Sequence, residues 1–148
     1  MIRDILHRYS ITPRQDRGQH FLDDPAVVQQ MVDAAELDAG DVVLEIGAGA
    51  GGITKRLAEA AGTVIAYEND PDLVRVLDQE LAGYDTVDIR GEDALDADIP
   101  EFDACVSNIP FHRSTDVLDL LVERGKRSVL LVQEEFAQRL VAEPGDDQ

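Results

Sequence analysis

The sequence predicts an α/β fold: an open, doubly wound, mostly parallel sheet with helices on both faces. Three observations carry this. Short apolar runs alternate with longer stretches of helical periodicity, the pattern of repeated βαβ units. Two Asp-Pro pairs, Asp24-Pro25 and Asp70-Pro71, each supply a helix N-cap followed by proline at the first helical position. A glycine cluster follows the first apolar run directly.

Taken in order, Val27, Val28, Met31, Val32 and Ala35 fall at helical spacing and predict a helix over about 25–36. Val42–Ile46 is a short apolar run and reads as a buried strand. Residues 52–61 read as helix, Thr63–Tyr67 as a second strand, and the Asp70-Pro71 signal opens a helix to about Leu81. Thr86–Arg90, Asp103–Ser107 and Ser128–Val132 are the third, fourth and fifth strands, with helices near 115–124 and 134–142. Residues 1–24 form a separate basic N-terminal segment, and 25–148 the sheet domain.

With 148 residues, 44% of them hydrophobic, the chain is long enough for one packed core. It shows neither a signal-peptide pattern nor an apolar run of the roughly 18 residues a membrane span needs. The lone Cys105 can form no intrachain disulfide and cannot by itself build a cysteine metal site; flanked by Ala104 and Val106, it reads as core. His7, His20 and His112 are too scattered to argue for a metal. The setting these features predict is cytoplasmic, with no membrane and no metal.

Acids number 31 against 13 Lys and Arg, a formal charge of −18, and 20 of the acids are Asp while only two bases are Lys. That balance predicts an acidic surface suited to very high salt, where self-repulsion is screened. The charge is uneven: residues 1–22 carry a net +2 from Arg3, Arg8, Arg14 and Arg17 against Asp4 and Asp16, and the remainder −20.

In an open parallel sheet, ligands bind beyond the carboxyl ends of the strands. Four segments fall there. Gly47, Gly49 and Gly52 satisfy the G-x-G-x-x-G spacing, which serves nicotinamide, flavin and S-adenosylmethionine alike and is also met in a purely structural turn. Glu68 ends the second strand, 21 residues after Gly47, where a carboxylate accepts both ribose hydroxyls; a solvated acid is the plainer reading. Asp93, in Gly91–Leu95, is placed to accept from an exocyclic amine; a simple turn is the alternative. Asn108-Ile109-Pro110-Phe111 offers two carbonyl acceptors and an aromatic face, a receptor for a planar amine; an ordinary loop with a buried Phe is the competing reading.

These segments, with Gln19-His20-Phe21-Leu22 before them and Val132–Leu140 after, resemble the rRNA adenine N6-dimethyltransferase family over about residues 15–145. That family includes small-subunit dimethyladenosine transferases and the erythromycin-resistance methylases of the large subunit. Ser114-Thr115-Asp116 is similar to the resistance branch, and Glu143-Pro144-Gly145 to the small-subunit branch, which is favoured. The resemblance implies a class I S-adenosylmethionine-dependent methyltransferase acting on the exocyclic amine of adenines in ribosomal RNA. It implies that His20, Leu22 and Gly47 border the cofactor's methionine end, with Gly49 in the same loop. Glu68 would hold the ribose, Asp93 the adenine amine, and Asn108 would stand between donor and target. Ile109 and Pro110 complete the catalytic loop and Phe111 stacks on the flipped base. Ribosomal RNA in the small subunit is the implied partner. His20 stands where the family commonly has Asn, and Phe111 where it has Tyr. Family members also run on into two more strands and a helical RNA-binding domain, so the fold expected here is truncated after the fifth strand.

Residues 1–22, His112-Arg113 and Arg124–Arg127 are candidates for RNA-backbone contact, or simply partners of surface acids. Two other classes compete. A non-catalytic cofactor- or RNA-binding module would bind without methyl transfer. A nicotinamide oxidoreductase would explain the glycines but not Asn108–Phe111.

Overall fold

The computed structural model describes residues 8–9, 24–109 and 111–131, the side chain of Phe111 aside. Five parallel strands are laid out in the order β3-β2-β1-β4-β5: β1 Val42–Ile46, β2 Thr63–Tyr67, β3 Val87–Arg90, β4 Ala104–Asn108 and β5 Arg127–Leu131. Helix α1 Pro25–Ala34 precedes β1, and α2 Gly52–Ala60, α3 Pro71–Glu80 and α4 Ser114–Arg124 connect strands.

Both Asp-Pro signals cap as expected. The Asp24 carboxylate accepts from the N–H of Ala26 at 3.0 Å, and Asp70 accepts from Asp72 N–H at 2.9 Å, satisfying donors that a helix start leaves free. The first helix stops at Ala34, two residues short of the expected end, because Glu36 already has a left-handed backbone at φ 49°. The fifth strand runs Arg127–Leu131, one residue earlier than expected. The segment at 134–142 lies outside the described residues, as do residues 10–23 of the N-terminal segment.

Alternation along the strands divides the core in two. Val43, Val64, Ala66 and Val106 face one side with Val28, Val32, Leu57 and Leu77 of α1 to α3. Leu44, Ile46, Ile65, Tyr67 and Cys105 face the other with Phe102, Val117 and Leu121. Cys105 is fully buried, its thiol pKa pushed up to about 12, chiefly by burial; it is a core residue.

The order reverses between β1 and β4, where the chain turns from building one half of the sheet to the other. There the helix after β1 packs on one face of the sheet and the helix after β4 on the other, so the loops leading into them diverge. β1 matches β2 at five positions but β4 only at Val43–Ala104 and Leu44–Cys105. Further along, the Ile46 N–H donates to the Ser107 hydroxyl at 2.8 Å. The resulting crevice opens at the carboxyl end of the sheet.

Candidate cofactor and substrate site

Three glycines shape the floor of this crevice: Gly47 (φ 78°), Gly49 (φ 60°) and Gly51 (φ 92°) all have left-handed backbone, which side-chain-bearing residues adopt only at a cost. Gly52, the third glycine of the dinucleotide spacing, is the first residue of α2. The backbone requirement is thus G-x-G-x-G, and the match to G-x-G-x-x-G is incidental. The turn is tied to the neighbouring strand, since Gly47 and Ala48 N–H both donate to the Tyr67 carbonyl, at 2.8 and 3.0 Å.

Glu68 follows β2 at once and is 7% exposed. Its Oε1 accepts from Gly49 N–H at 2.8 Å and its Oε2 from Asp70 N–H at 2.9 Å. Burial raises its pKa, while backbone donors from Asp70, Gly49 and Asn69 pull the other way. A carboxylate has about four acceptor positions, so capacity remains for a further donor. The residue therefore links the glycine turn to the start of α3 and can still accept a hydroxyl.

Asp93 caps a single 3-10 turn, Ala94–Asp96, by accepting from Leu95 N–H at 3.0 Å. Its other oxygen accepts from the Arg113 guanidinium, a contact the sequence reading did not contain. Gly47, Glu68, Asp93, His112 and Arg113 line one cavity of about 90 Å³. Asn108 is the last residue of β4, paired with Leu131 of β5, rather than the first of a loop. Its carbonyl oxygen lies 3.9 Å from the place a Cβ on Gly47 would take, so it borders the glycine turn. Ile109 is buried and donates its N–H to the Leu131 carbonyl at 3.1 Å. Phe111 opens the short 3-10 turn Phe111–Arg113. His20, Leu22 and Pro110 lie outside the described residues.

Glu45, which the sequence reading left without a role, is wholly buried beneath the turn. Two residues on from Val43, it shares that residue's face of β1 and points to the α2 side, where the Thr54 hydroxyl donates to its Oε1 at 2.5 Å. Burial pushes its pKa up to about 8, opposed by the Thr54 bond and assisted by the Glu68 charge. The signal was an acid in an otherwise apolar strand with a threonine on the following helix.

The described basic residues are engaged within the chain. Arg8 and Lys55 pair with Glu80, Lys126 with Glu101 and Arg127 with Asp41. Arg124 donates to the Ile99 carbonyl and lies over the Phe102 ring.

The arrangement, an acid after β2, an acid after β3 and an Asn ending β4 around a glycine turn, suits a nucleoside and a planar amine. Residues 11–148 match the ribosomal RNA adenine dimethylase family. The chain belongs to that family. A ribosomal RNA small subunit methyltransferase A of Thermotoga maritima is 41% identical over 144 residues, 96% of this chain and 52% of that protein. Among solved structures, a dimethyladenosine transferase from Plasmodium falciparum superposes with a TM-score of 0.78 at 32% identity, covering 86% of this chain and 48% of the other. The 23S rRNA methyltransferase ErmE superposes with a TM-score of 0.75, also at 32% identity, covering 80% and 50%. This dimethylase-family chain thus spans about half the length of the relatives it matches. The doubly wound sheet expected from the sequence is the class I methyltransferase sheet of this family. No helix among the described residues is long and apolar enough to cross a membrane.

Proposed function

We propose that the protein binds S-adenosylmethionine at the carboxyl end of the sheet and methylates the exocyclic amine of adenines in ribosomal RNA, of the small subunit by preference. The observation that carries this reading is the convergence of Gly47, Glu68 and Asp93 on one cavity, with Asn108 bordering the same glycine turn, in a chain of the adenine dimethylase family.

The residues present fit the cofactor. Glu68 keeps acceptor capacity for a ribose hydroxyl, Asp93 lines the same cavity as an acceptor for an amine, and Gly47 leaves the floor of the turn without a side chain. His20 and Leu22 are assigned to the methionine end by family resemblance. When bound, the cofactor supplies an electrophilic methyl group. The chain's own work is on the acceptor. An adenine amine is a poor nucleophile because its lone pair is delocalised into the ring. The Asn108 side-chain carbonyl and the Ile109 carbonyl accept its two hydrogens, favour a pyramidal nitrogen and aim the lone pair, while Pro110 fixes the loop. Phe111 stacks on the base. Positioning and electrostatics supply the rate, and no strong base is required. The base must leave its helix at a cost of a few kcal/mol, and stacking worth about 1–3 kcal/mol offsets part of it.

Transfer of labelled methyl to unmethylated small ribosomal subunits in molar KCl, with nucleosides resolved by mass spectrometry, tests the proposal. Dimethyladenosine in small-subunit RNA is expected. Cofactor binding by folded protein without transfer to any rRNA overturns the reading, and transfer confined to large subunits overturns the subunit assignment.

A further inference from the structure

Arg113 is a cationic wall of the cavity that the functional reading does not use. Its guanidinium pairs with Asp93 Oδ2 at 2.5 Å, with the two side chains 33% and 22% exposed. It reaches that acid from the 3-10 turn after β4, across a cavity whose other walls include Gly47 and Glu68. The cavity measures about 90 Å³, whereas ligand pockets run to about 300–1,000 Å³. An adenine amine that approaches Asp93 Oδ2 in this space meets the Arg113 guanidinium already bonded to it.

The walls differ in what holds them. Gly47 is fixed through the Tyr67 carbonyl and Glu68 by two backbone donors. Asp93 is held by its own turn. Arg113 is a long side chain, one-third exposed, held at its tip by the Asp93 ion pair. Arg124, by contrast, is pinned by a carbonyl and lies over a ring.

We propose that Arg113 is a gate on the adenine end of the cofactor site: its guanidinium and the ring's exocyclic amine compete for Asp93, and binding swings the arginine out. This rests on the cofactor reading above and adds to it an internal competitor. Two consequences follow. Removing the guanidinium tightens binding. Salt, which weakens an ion pair of this exposure, relieves the competition, so the advantage of removal shrinks as ionic strength rises.

The test is calorimetric titration of S-adenosylhomocysteine into the full chain, its Arg113→Met variant and its Arg113→Gln variant, at about 0.1 M and at molar KCl. The expected result is about two- to fivefold tighter binding by both variants at the lower salt, the range for a partly exposed ion pair, with the gap closing at the higher. Equal or weaker binding by the variants overturns the gate. If neither wild type nor variant binds, the cofactor reading itself fails. A second readout uses wild type alone: side-chain nitrogen resonances of Arg113, assigned by through-bond correlation to its backbone, should lose their restraint and average toward free rotation when S-adenosylhomocysteine is added. Resonances that stay restrained overturn the proposal even where the variants do not fold.

Discussion

The two ends of the same sheet spend similar residues differently. At the amino end, Asp103 gives its carboxylate to Val42 N–H at 2.8 Å and its own N–H to the Val42 carbonyl at 2.7 Å. Asp41 accepts from Asp38 N–H and from Arg127, and its carbonyl takes the N–H groups of Gly62 and Thr63. These acids and glycines close loops onto strands. At the carboxyl end, Glu68 also accepts backbone donors, but it lies on a cavity wall with acceptor capacity left over, at the end of strands that stay paired as far as Tyr67. An acid that finishes a loop is structure; an acid that finishes a loop and still faces a crevice is a site. The difference lies in what surrounds the carboxylate, since both ends draw on Asp, Glu and Gly.

The contrast can be broken from either side. The largest effect belongs to the amino end. A Cβ at Gly62 would come 2.3 Å from the Ala39 carbonyl oxygen, a backbone atom that cannot swing away. Gly62→Ala is expected to cost about 3 kcal/mol of stability, read by denaturant unfolding, while the folded fraction binds S-adenosylhomocysteine unchanged. An altered affinity in folded protein would show that the two ends are coupled.

Next is Glu45, whose folded pKa is pushed up to about 8 by burial. In the unfolded chain it ionises near pH ~4.3. Over the interval between those values the unfolded state gives up a proton that the folded state keeps, so stability falls as pH rises and levels off above about 8. Glu45→Gln, which retains an acceptor for Thr54, should flatten that slope and exceed wild type by at least about 1 kcal/mol at high pH. Unfolding curves across the interval decide it; parallel slopes for both proteins would mean that Glu45 titrates normally.

The smallest effect is Arg127→Ala. Its ion pair with Asp41 is 3.3 Å long and half exposed on the arginine side, so less than about 0.5 kcal/mol should be lost. A larger loss in the same unfolding assay would mean that the amino end depends on charge pairing as well as on backbone closure.

What the sequence showed plainly was whatever neighbouring residues decide. Asp24-Pro25 and Asp70-Pro71 start helices through contacts two residues away, and the alternation of Val43 with Leu44 sorts itself onto two faces. Glu68 was legible because strand ends can be counted. The bond between Thr54 and Glu45, the Ser107 hydroxyl on Ile46, and Arg113 on Asp93 join residues 9, 61 and 20 apart. Those partners are brought together by how strands, helices and turns pack, and the residue types alone do not name the pairs. Asn108 shows the same limit: it reads as a loop residue from its Pro-containing context, yet pairing with Leu131 makes it the end of a strand. The roles assigned to His20 and Leu22 rest on resemblance.

In the proposed function, the carboxyl end of this sheet holds a nucleoside cofactor through Glu68. Calorimetric titration of S-adenosylhomocysteine into wild type and Glu68→Ala in molar KCl, with folding of both checked by circular dichroism, tests it most directly. The account predicts saturable one-to-one binding by wild type and a loss of about 2 kcal/mol, some thirtyfold, in the variant, the scale of hydrogen bonds to a charged group. Equal affinity in two folded proteins would contradict it.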